Sequence, residues 1–189
     1  MFITSCLPMT INCGPCIVRS WRFGDEETLY THANSRAIWL NLRDSFPYPY
    51  TPVDAQRWIQ FVVDPELETN FAIEVNGEAV GNIGLRIGDD IERYTAEVWY
   101  WLGESYWGKG IITAALRAIT DYAFTELTLN RLYAMPYAHN AGSIKVLEKV
   151  GFGREGLLRG AAVKDGIVLD KVMYAYLVSD WLNAAPVSP

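Results

Sequence analysis

A glycine-rich loop, GESYWGKGIIT from Gly103 to Thr113, stands between a segment that predicts a strand and one that predicts a helix. Gly108 and Gly110 let the backbone approach a ligand closely, because they carry no side chain. The amides from Lys109 to Thr113 are donors of a helix start, which favours an anion in front of them. The pattern therefore predicts a phosphate or pyrophosphate site. A tight turn without a ligand is the alternative.

The same loop nearly matches the P-loop of nucleotide hydrolases, since Gly103 and Gly108-Lys109 have the required spacing. A P-loop needs Ser or Thr after its lysine to hold Mg²⁺, and Gly110 occupies that position here. No acidic residue follows a plainly parallel strand downstream to complete such a site. The pattern therefore disfavours nucleotide hydrolysis.

A second motif, CGPC at residues 13–16, is the tetrapeptide with which thioredoxin-like proteins exchange disulfides. In those proteins a helix follows the motif, and its dipole lowers the pKa of the first thiol. Here the motif ends a tail, residues 1–15, and runs into CIVRSW, which alternates like a strand. We therefore expect a turn at the central Gly-Pro, with Cys6, Cys13 and Cys16 incidental. A disulfide under oxidising conditions and a dithiol oxidoreductase stay open as remote alternatives.

Length and charge restrict the class of protein. The chain has 189 residues, of which 50% are hydrophobic and 20% charged, and this fits one globular domain over residues 1–189. A net charge of −6 disfavours nucleic acid as a partner and suits a cationic substrate such as an amine. The chain has neither a run of about 18 apolar residues nor the pattern of a signal peptide. We therefore expect a cytoplasmic protein that does not bind membranes.

Strands and helices that could position the loop alternate along the chain. GDEETLYTHANSRAIWLNL predicts one helix, and Thr51-Pro52 opens another that runs to about Val63. NFAIEV and EAVGNIGLRI predict a hairpin joined at Asn76-Gly77. The strand TAEVWYWLG leads into the glycine loop and its amphipathic helix. NAGSIKVLEKVGF then predicts a helix, and the last third of the chain a second hairpin.

Two segments in this order, AEVWYWLGESYWGKGIITAALRAITDYAF and LNRLYAMPYAHNAGSIKVLEKVGF, resemble the GNAT superfamily of acyl-CoA-dependent N-acetyltransferases. Within it they are most similar to the Rim-type branch, which includes ribosomal-protein N-terminal acetyltransferases. CIVRSW, FPYPYTPVDAQRWI and DKVMYAYLVSDW extend the resemblance more weakly. It implies an α/β fold: a mixed, mostly antiparallel twisted sheet of about six to seven strands, flanked by about four helices and splayed in mid-sheet at the acetyl-CoA site.

The resemblance also implies the residues that contact acetyl-CoA. The loop binds the pyrophosphate, the strand before it pairs with the pantetheine arm, and an Asn-x-x-Ser pair contacts that arm near its sulfur. Trp107 and Ile112 depart from the usual Arg or Gln and Gly or Ala of the superfamily loop, although backbone donors survive such changes. The implied contacts are Trp99, Tyr100, Trp101, Leu102, Trp107, Gly108, Lys109, Gly110, Ile111, Ile112, Thr113, Asn140 and Ser143.

Acetyl transfer requires a neutral amine, so a carboxylate acting directly or through water is the expected base. Our candidate is Glu97, which shares a strand face with Trp99 and Trp101, and these could desolvate it. The alternatives are a solvated glutamate at a strand start, or Glu104 as the base. Many family members place a tyrosine acid where this chain has Leu147, so the resemblance passes that role to Ser143. A strand N–H near Trp101 or Leu102 would polarise the attacked carbonyl.

The predicted function is therefore acetyl-CoA-dependent transfer to a primary amine of a protein N-terminus or a small molecule. A non-catalytic acetyl-CoA-binding or partner-binding module is the alternative. The segments Ser35–Thr51 and Arg159–Asp170 would shape the acceptor mouth, and FPYPY with Trp101 could line an amine pocket. His32 and His139 lack metal-ligand spacing, so we expect no metal. A monomer or homodimer is expected.

Overall fold

The structure, a computed structural model, describes residues 8–63 and 68–184, so Cys6 lies outside the described residues. Over these residues the strands are β1 (Thr10–Asn12), β2 (Ile17–Ser20), β3 (Asn70–Val75), β4 (Glu78–Ile87), β5 (Thr95–Leu102), β6 (Arg131–Ala134), β7 (Gly153–Lys164) and β8 (Ile167–Leu177). The helices are α1 (Glu26–Ala33), α2 (Arg36–Trp39), α3 (Pro52–Val62), α4 (Ile111–Thr125), α5 (Ala141–Val150) and α6 (Val178–Ala184), with short 3₁₀ helices at Asp90–Glu92 and Glu104–Tyr106.

The strands form one sheet in the order β1-β2-β3-β4-β5-β6-β8-β7. The β5–β6 pair is parallel, whereas β2–β3, β3–β4, β6–β8 and β7–β8 are antiparallel. The parallel register joins Thr95 through Glu97 to Arg131 through Tyr133, and β5 continues to Leu102. The predicted α/β class with a mixed, mostly antiparallel sheet is confirmed.

The described residues divide into two compact units, one with those up to Gly84 and Tyr100–Ala118, the other with Leu85–Trp99 and those from Ile119 on. The expectation of a single domain stays a prediction. No helix within 8–63 and 68–184 has the length and apolarity needed to span a bilayer. Fully buried side chains at the core of the first unit include Val18, Ile59, Phe71, Ile73 and Ile83. Those of the second include Ile119, Ala123, Leu132 and Leu147.

Local sequence signals correctly predict where several helices and strands begin or end. Thr51 Oγ1 accepts a hydrogen bond from the Asp54 amide at 3.3 Å, and the Asp54 carboxylate accepts one from the Thr51 amide at 2.9 Å. This capping box fixes the start of α3. Asn76 and Gly77 have φ angles of 54° and 87°, the left-handed values that a two-residue hairpin turn requires. Both predicted boundaries are confirmed.

Two expectations about the first forty residues were wrong. The segment predicted as one helix forms α1 and α2, because Ser35 adopts an extended conformation and its Oγ accepts the Ile38 amide as a new N-cap. The predicted tail contains β1, which pairs antiparallel with β2 from Thr10↔Arg19 to Asn12↔Ile17. A three-residue strand carries too short an alternation to be recognised in a sequence. Within residues 8–63 and 68–184, eight strands and six helices replace the expected six to seven and four.

Candidate functional site

The glycine loop follows directly after the buried end of β5. Trp101 and Leu102 are 5% and 4% exposed, and the Gly103 amide donates to the Val80 carbonyl of β4 at 2.8 Å. The indole Nε1 of Trp107 donates back to the Leu102 carbonyl at 2.7 Å. This hydrogen bond fixes the loop to the strand end. Trp107 therefore has a structural role at the position where the superfamily loop usually has Arg or Gln.

Two glycines form an open backbone cradle directly before α4. Gly108 and Gly110 have φ angles of 74° and 78°, where a side chain is disfavoured. A Cβ built on either would meet no atom of the described chain within 4 Å. The first helical hydrogen bond runs from the Ala114 amide to the Gly110 carbonyl at 3.0 Å, so the amides of Ile111 through Thr113 are the first-turn donors of α4. These donors and the helix dipole suit a bound anion.

Residues near the α1–α2 junction brace the 3₁₀ turn before the glycines. Ser35 Oγ donates to the Glu104 carboxylate at 2.5 Å. The His32 ring meets Tyr106 edge to face with 5.4 Å between ring centroids, and Lys109 Nζ lies 5.3 Å from the same Tyr106 centroid. Sequence reasoning missed these contacts, because the motif spacing says nothing about which helix packs on the loop. Through these contacts, Ser35 supports the Glu104 side chain and Tyr106 supports that of Lys109.

Glu97 is buried on β5, with 7% of its surface exposed, and forms an ion pair with Arg86 of β4. The sequence indicates Trp99 and Trp101 as residues that could desolvate this carboxylate. The Arg86 guanidinium is the partner that sequence reasoning missed, since cross-strand register is not readable from a single sequence. Glu97 is therefore a buried carboxylate that accepts a hydrogen bond from the charged Arg86 guanidinium.

The start of α5 is capped by Asn140, whose Oδ1 accepts the Ser143 amide at 3.0 Å. The N-cap role weighed for these two residues from the sequence is confirmed. Leu147, at the position of the family tyrosine, is fully buried on the same helix. Leu147 is thus a core side chain, while Ser143 lies half-buried in the first helical turn.

The aromatic segment FPYPY approaches the end of β5. Phe46 lies 5.8 Å from Trp101 and 5.0 Å from Tyr50, measured between ring centroids. Tyr50 is almost fully buried, and burial raises the pKa of its phenol. The structure therefore places the FPYPY segment beside Trp101, the tryptophan expected to line an amine pocket with it. Its role in binding an amine stays a prediction.

The two histidines take part in packing. His32 Nε2 lies 3.5 Å from a Glu78 carboxylate oxygen, and the His139 ring stacks on Tyr137 at 5.8 Å. Within 8–63 and 68–184, no three His, Cys, Asp or Glu side chains are grouped as metal ligands would be.

Comparison with known proteins gives a family match. A family model described as the acetyltransferase (GNAT) domain matches residues 16–153. The uncharacterized N-acetyltransferase p20 of Bacillus licheniformis is 37% identical over 139 residues, which cover 70% of this chain and 78% of that protein. The matched range includes β5, the glycine loop and α5.

Two solved structures are similar in fold. Mycobacterium smegmatis RimJ, in complex with CoA-disulfide, has a TM-score of 0.79 at 24% identity and covers 92% of this chain and 87% of its own. RimL, a ribosomal L7/L12 alpha-N-protein acetyltransferase in complex with coenzyme A, has a TM-score of 0.81 at 20% identity over 91% of this chain and 99% of its own. At these identities the likeness is one of fold.

Proposed function

This chain belongs to the GNAT acetyltransferase family, as its two motifs indicated, and from this we propose an acetyl-CoA-dependent N-acetyltransferase that acts on a primary amine in a ternary complex. The observation that carries the proposal is the pair of left-handed glycines, Gly108 and Gly110, at the start of α4. The acceptor is the amine of a protein N-terminus or of a small molecule.

The loop fits the pyrophosphate of acetyl-CoA. The amides of Ile111, Ile112 and Thr113 supply donors, and the missing side chains of Gly108 and Gly110 leave room for the phosphates. Ile112 lies in the first turn of α4, so its backbone amide is a first-turn donor in spite of its bulky side chain. Lys109 adds a positive charge beside the cradle.

At the acyl end, acetyl-CoA supplies an acetyl group activated as a thioester. We assign the pantetheine arm to Trp99 through Leu102 and to Asn140 and Ser143 on the basis of the family resemblance. A backbone N–H of Trp101 or Leu102 would donate to the carbonyl oxygen as negative charge develops on it.

Proton transfer requires a base and an acid. Glu97 accepts a proton from the ammonium group of the acceptor, directly or through one water molecule, and the resulting neutral amine attacks the thioester carbonyl. Glu104 is the second candidate, and both carboxylates have a hydrogen-bond donor beside them, Arg86 at Glu97 and Ser35 at Glu104. Ser143, or water in its place, donates a proton to the departing thiolate.

The experiment has two stages. Acetyl-CoA is titrated into the protein and the melting temperature is measured, with a rise expected once its concentration exceeds the Kd. CoA formation is then followed by chromatography with peptides, polyamines, aminoglycosides and amino acids. No stabilisation at millimolar acetyl-CoA would contradict the proposal. Stabilisation without CoA formation for any amine would instead identify a non-catalytic acetyl-CoA-binding module.

A further inference from the structure

The CGPC motif forms the turn between β1 and β2. The Cys13 amide donates to the Cys16 carbonyl at 2.9 Å, which continues the antiparallel register of Asn12 and Ile17. Gly14 has a φ of 85°, and its amide donates to Asn12 Oδ1 at 2.9 Å. Cys13 and Cys16 are the two ends of this four-residue turn, and the Cα atoms of the ends of a β-turn lie less than about 7 Å apart. That separation lies within the range that a disulfide spans.

The two thiols are free, and they differ in environment. Cys16 is 4% exposed, whereas Cys13 is partly accessible. A hydrogen bond from Cys16 lowers the pKa of Cys13 against the opposing effect of burial. The same hydrogen bond, with burial, raises the pKa of Cys16. A neighbouring thiol thus has the effect that a helix dipole has in thioredoxin-like proteins, and Cys13 is the thiol suited to react first.

Cys16 also connects this turn to the glycine loop. Its Sγ donates to the Ile111 carbonyl at 3.8 Å, and Ile111 is the first residue of α4, directly after Gly110. A thiol has one proton, so Cys16 cannot donate fully to both Ile111 and Cys13. In a disulfide that proton is lost and the Cys16 sulfur is bound to Cys13. The redox state of the pair therefore changes a contact at the start of α4.

We propose that Cys13 and Cys16 are a reversible redox site whose disulfide weakens acetyl-CoA binding at the glycine loop. The part that concerns acetyl-CoA rests on the proposed function. The oxidant is a low-molecular-weight disulfide such as oxidised glutathione.

The exchange has two steps. The Cys13 thiolate attacks one sulfur of the oxidant, whose disulfide bond breaks and releases one thiolate. The Cys16 sulfur then attacks the Cys13 sulfur, forms the intramolecular disulfide and releases the second thiolate. The two cysteine protons pass to the two released thiolates. The protein loses two electrons, and the oxidant gains them.

The size of the coupling follows from the contact that is lost. Hydrogen bonds from thiols are weak, so loss of the hydrogen bond from Cys16 to the Ile111 carbonyl should raise the Kd for acetyl-CoA about two- to fivefold. Coupling between two sites is reciprocal. Saturating acetyl-CoA should therefore disfavour the disulfide by the same two- to fivefold factor at a fixed glutathione ratio.

The test uses the full chain with Cys6→Ser, so that the pair alone can oxidise. The protein is equilibrated with reduced and oxidised glutathione, alkylated, and analysed by intact mass and peptide mapping. Acetyl-CoA is then titrated calorimetrically into the reduced and oxidised forms. The matched control is Cys13→Ser, which leaves an acceptor beside Cys16 and prevents the disulfide. It should bind acetyl-CoA like the reduced protein, with or without oxidant.

A Cys13–Cys16 disulfide with a two- to fivefold weaker Kd supports the proposal. Absence of that disulfide, or equal Kd values for both forms, overturns it. Failure of the reduced protein to bind acetyl-CoA contradicts the proposed function and the coupling with it. The mass measurement decides the disulfide independently, because it needs no acetyl-CoA.

Discussion

Replacing Gly110 with alanine separates the energetic cost to the fold from the cost to acetyl-CoA binding. Gly110 has a φ of 78°, where a side chain costs about 1–2 kcal/mol, and its Cβ would clash with no atom of the described residues. Gly77 is a matched control, since it has a φ of 87° and is equally open, but lies in the β3–β4 turn. Gly110→Ala and Gly77→Ala should therefore each lower the free energy of unfolding by about 1–2 kcal/mol.

Only at Gly110 would the added methyl group occupy the space that we assign to the pyrophosphate. Loss of one charge-assisted hydrogen bond costs about 1.5–3 kcal/mol, which predicts a Kd for acetyl-CoA about 10- to 100-fold higher in Gly110→Ala. Gly77→Ala should bind like the unmodified protein. Chemical denaturation measures stability and calorimetry measures the Kd. Equal Kd values for the two variants would refute the assignment of the cradle.

Three further changes test other contacts. Glu97→Gln should lower kcat by about 100-fold or more and leave the Kd for acetyl-CoA unchanged; unchanged turnover with a good amine across pH 6–9 eliminates Glu97 as the base. Asp25→Ala removes one of the two carboxylate partners of the buried Arg19 and leaves Glu74, so it should cost about 1–3 kcal/mol in urea denaturation, whereas an unchanged free energy of unfolding would contradict a structural role for this pair. Burial raises the pKa of Glu68, so its stabilising contribution is present below its ordinary pKa and lost as pH rises through the raised value. Glu68→Gln should therefore gain stability relative to the unmodified protein from about pH 4 to pH 7, and parallel stability curves would contradict this.

Elements whose ends depend on local backbone chemistry could be predicted from the sequence. Asn76-Gly77 supports left-handed φ angles, and Thr51 with Pro52 satisfies the first amides of a helix, so both signals are complete within a few residues. The glycine loop belongs to the same class. Its two left-handed glycines and the helix start behind them follow from the residue types alone.

Contacts between distant segments could not be predicted, because they depend on register and packing. Glu97 was recognised as a candidate base, but its partner Arg86 lies on a neighbouring strand, and a one-residue shift in pairing would have removed it. The same limit applies to His32 beside Tyr106. A single sequence identifies which residue types are available for chemistry, whereas the charge and support around each one are tertiary properties.

The CGPC motif and the glycine loop suggested different reactions, disulfide exchange and acyl transfer, yet the hydrogen bond from Cys16 to Ile111 joins them. The position of the pair argues against a dithiol oxidoreductase that acts on proteins. A strand, not a helix, follows the pair, and Cys13 is only partly accessible, so a protein disulfide would have restricted access to the thiol that reacts first. A small disulfide needs to reach only Cys13, after which Cys16 completes the bond within the turn. In this fold the dithiol is therefore better suited to modulating ligand binding than to catalysing exchange.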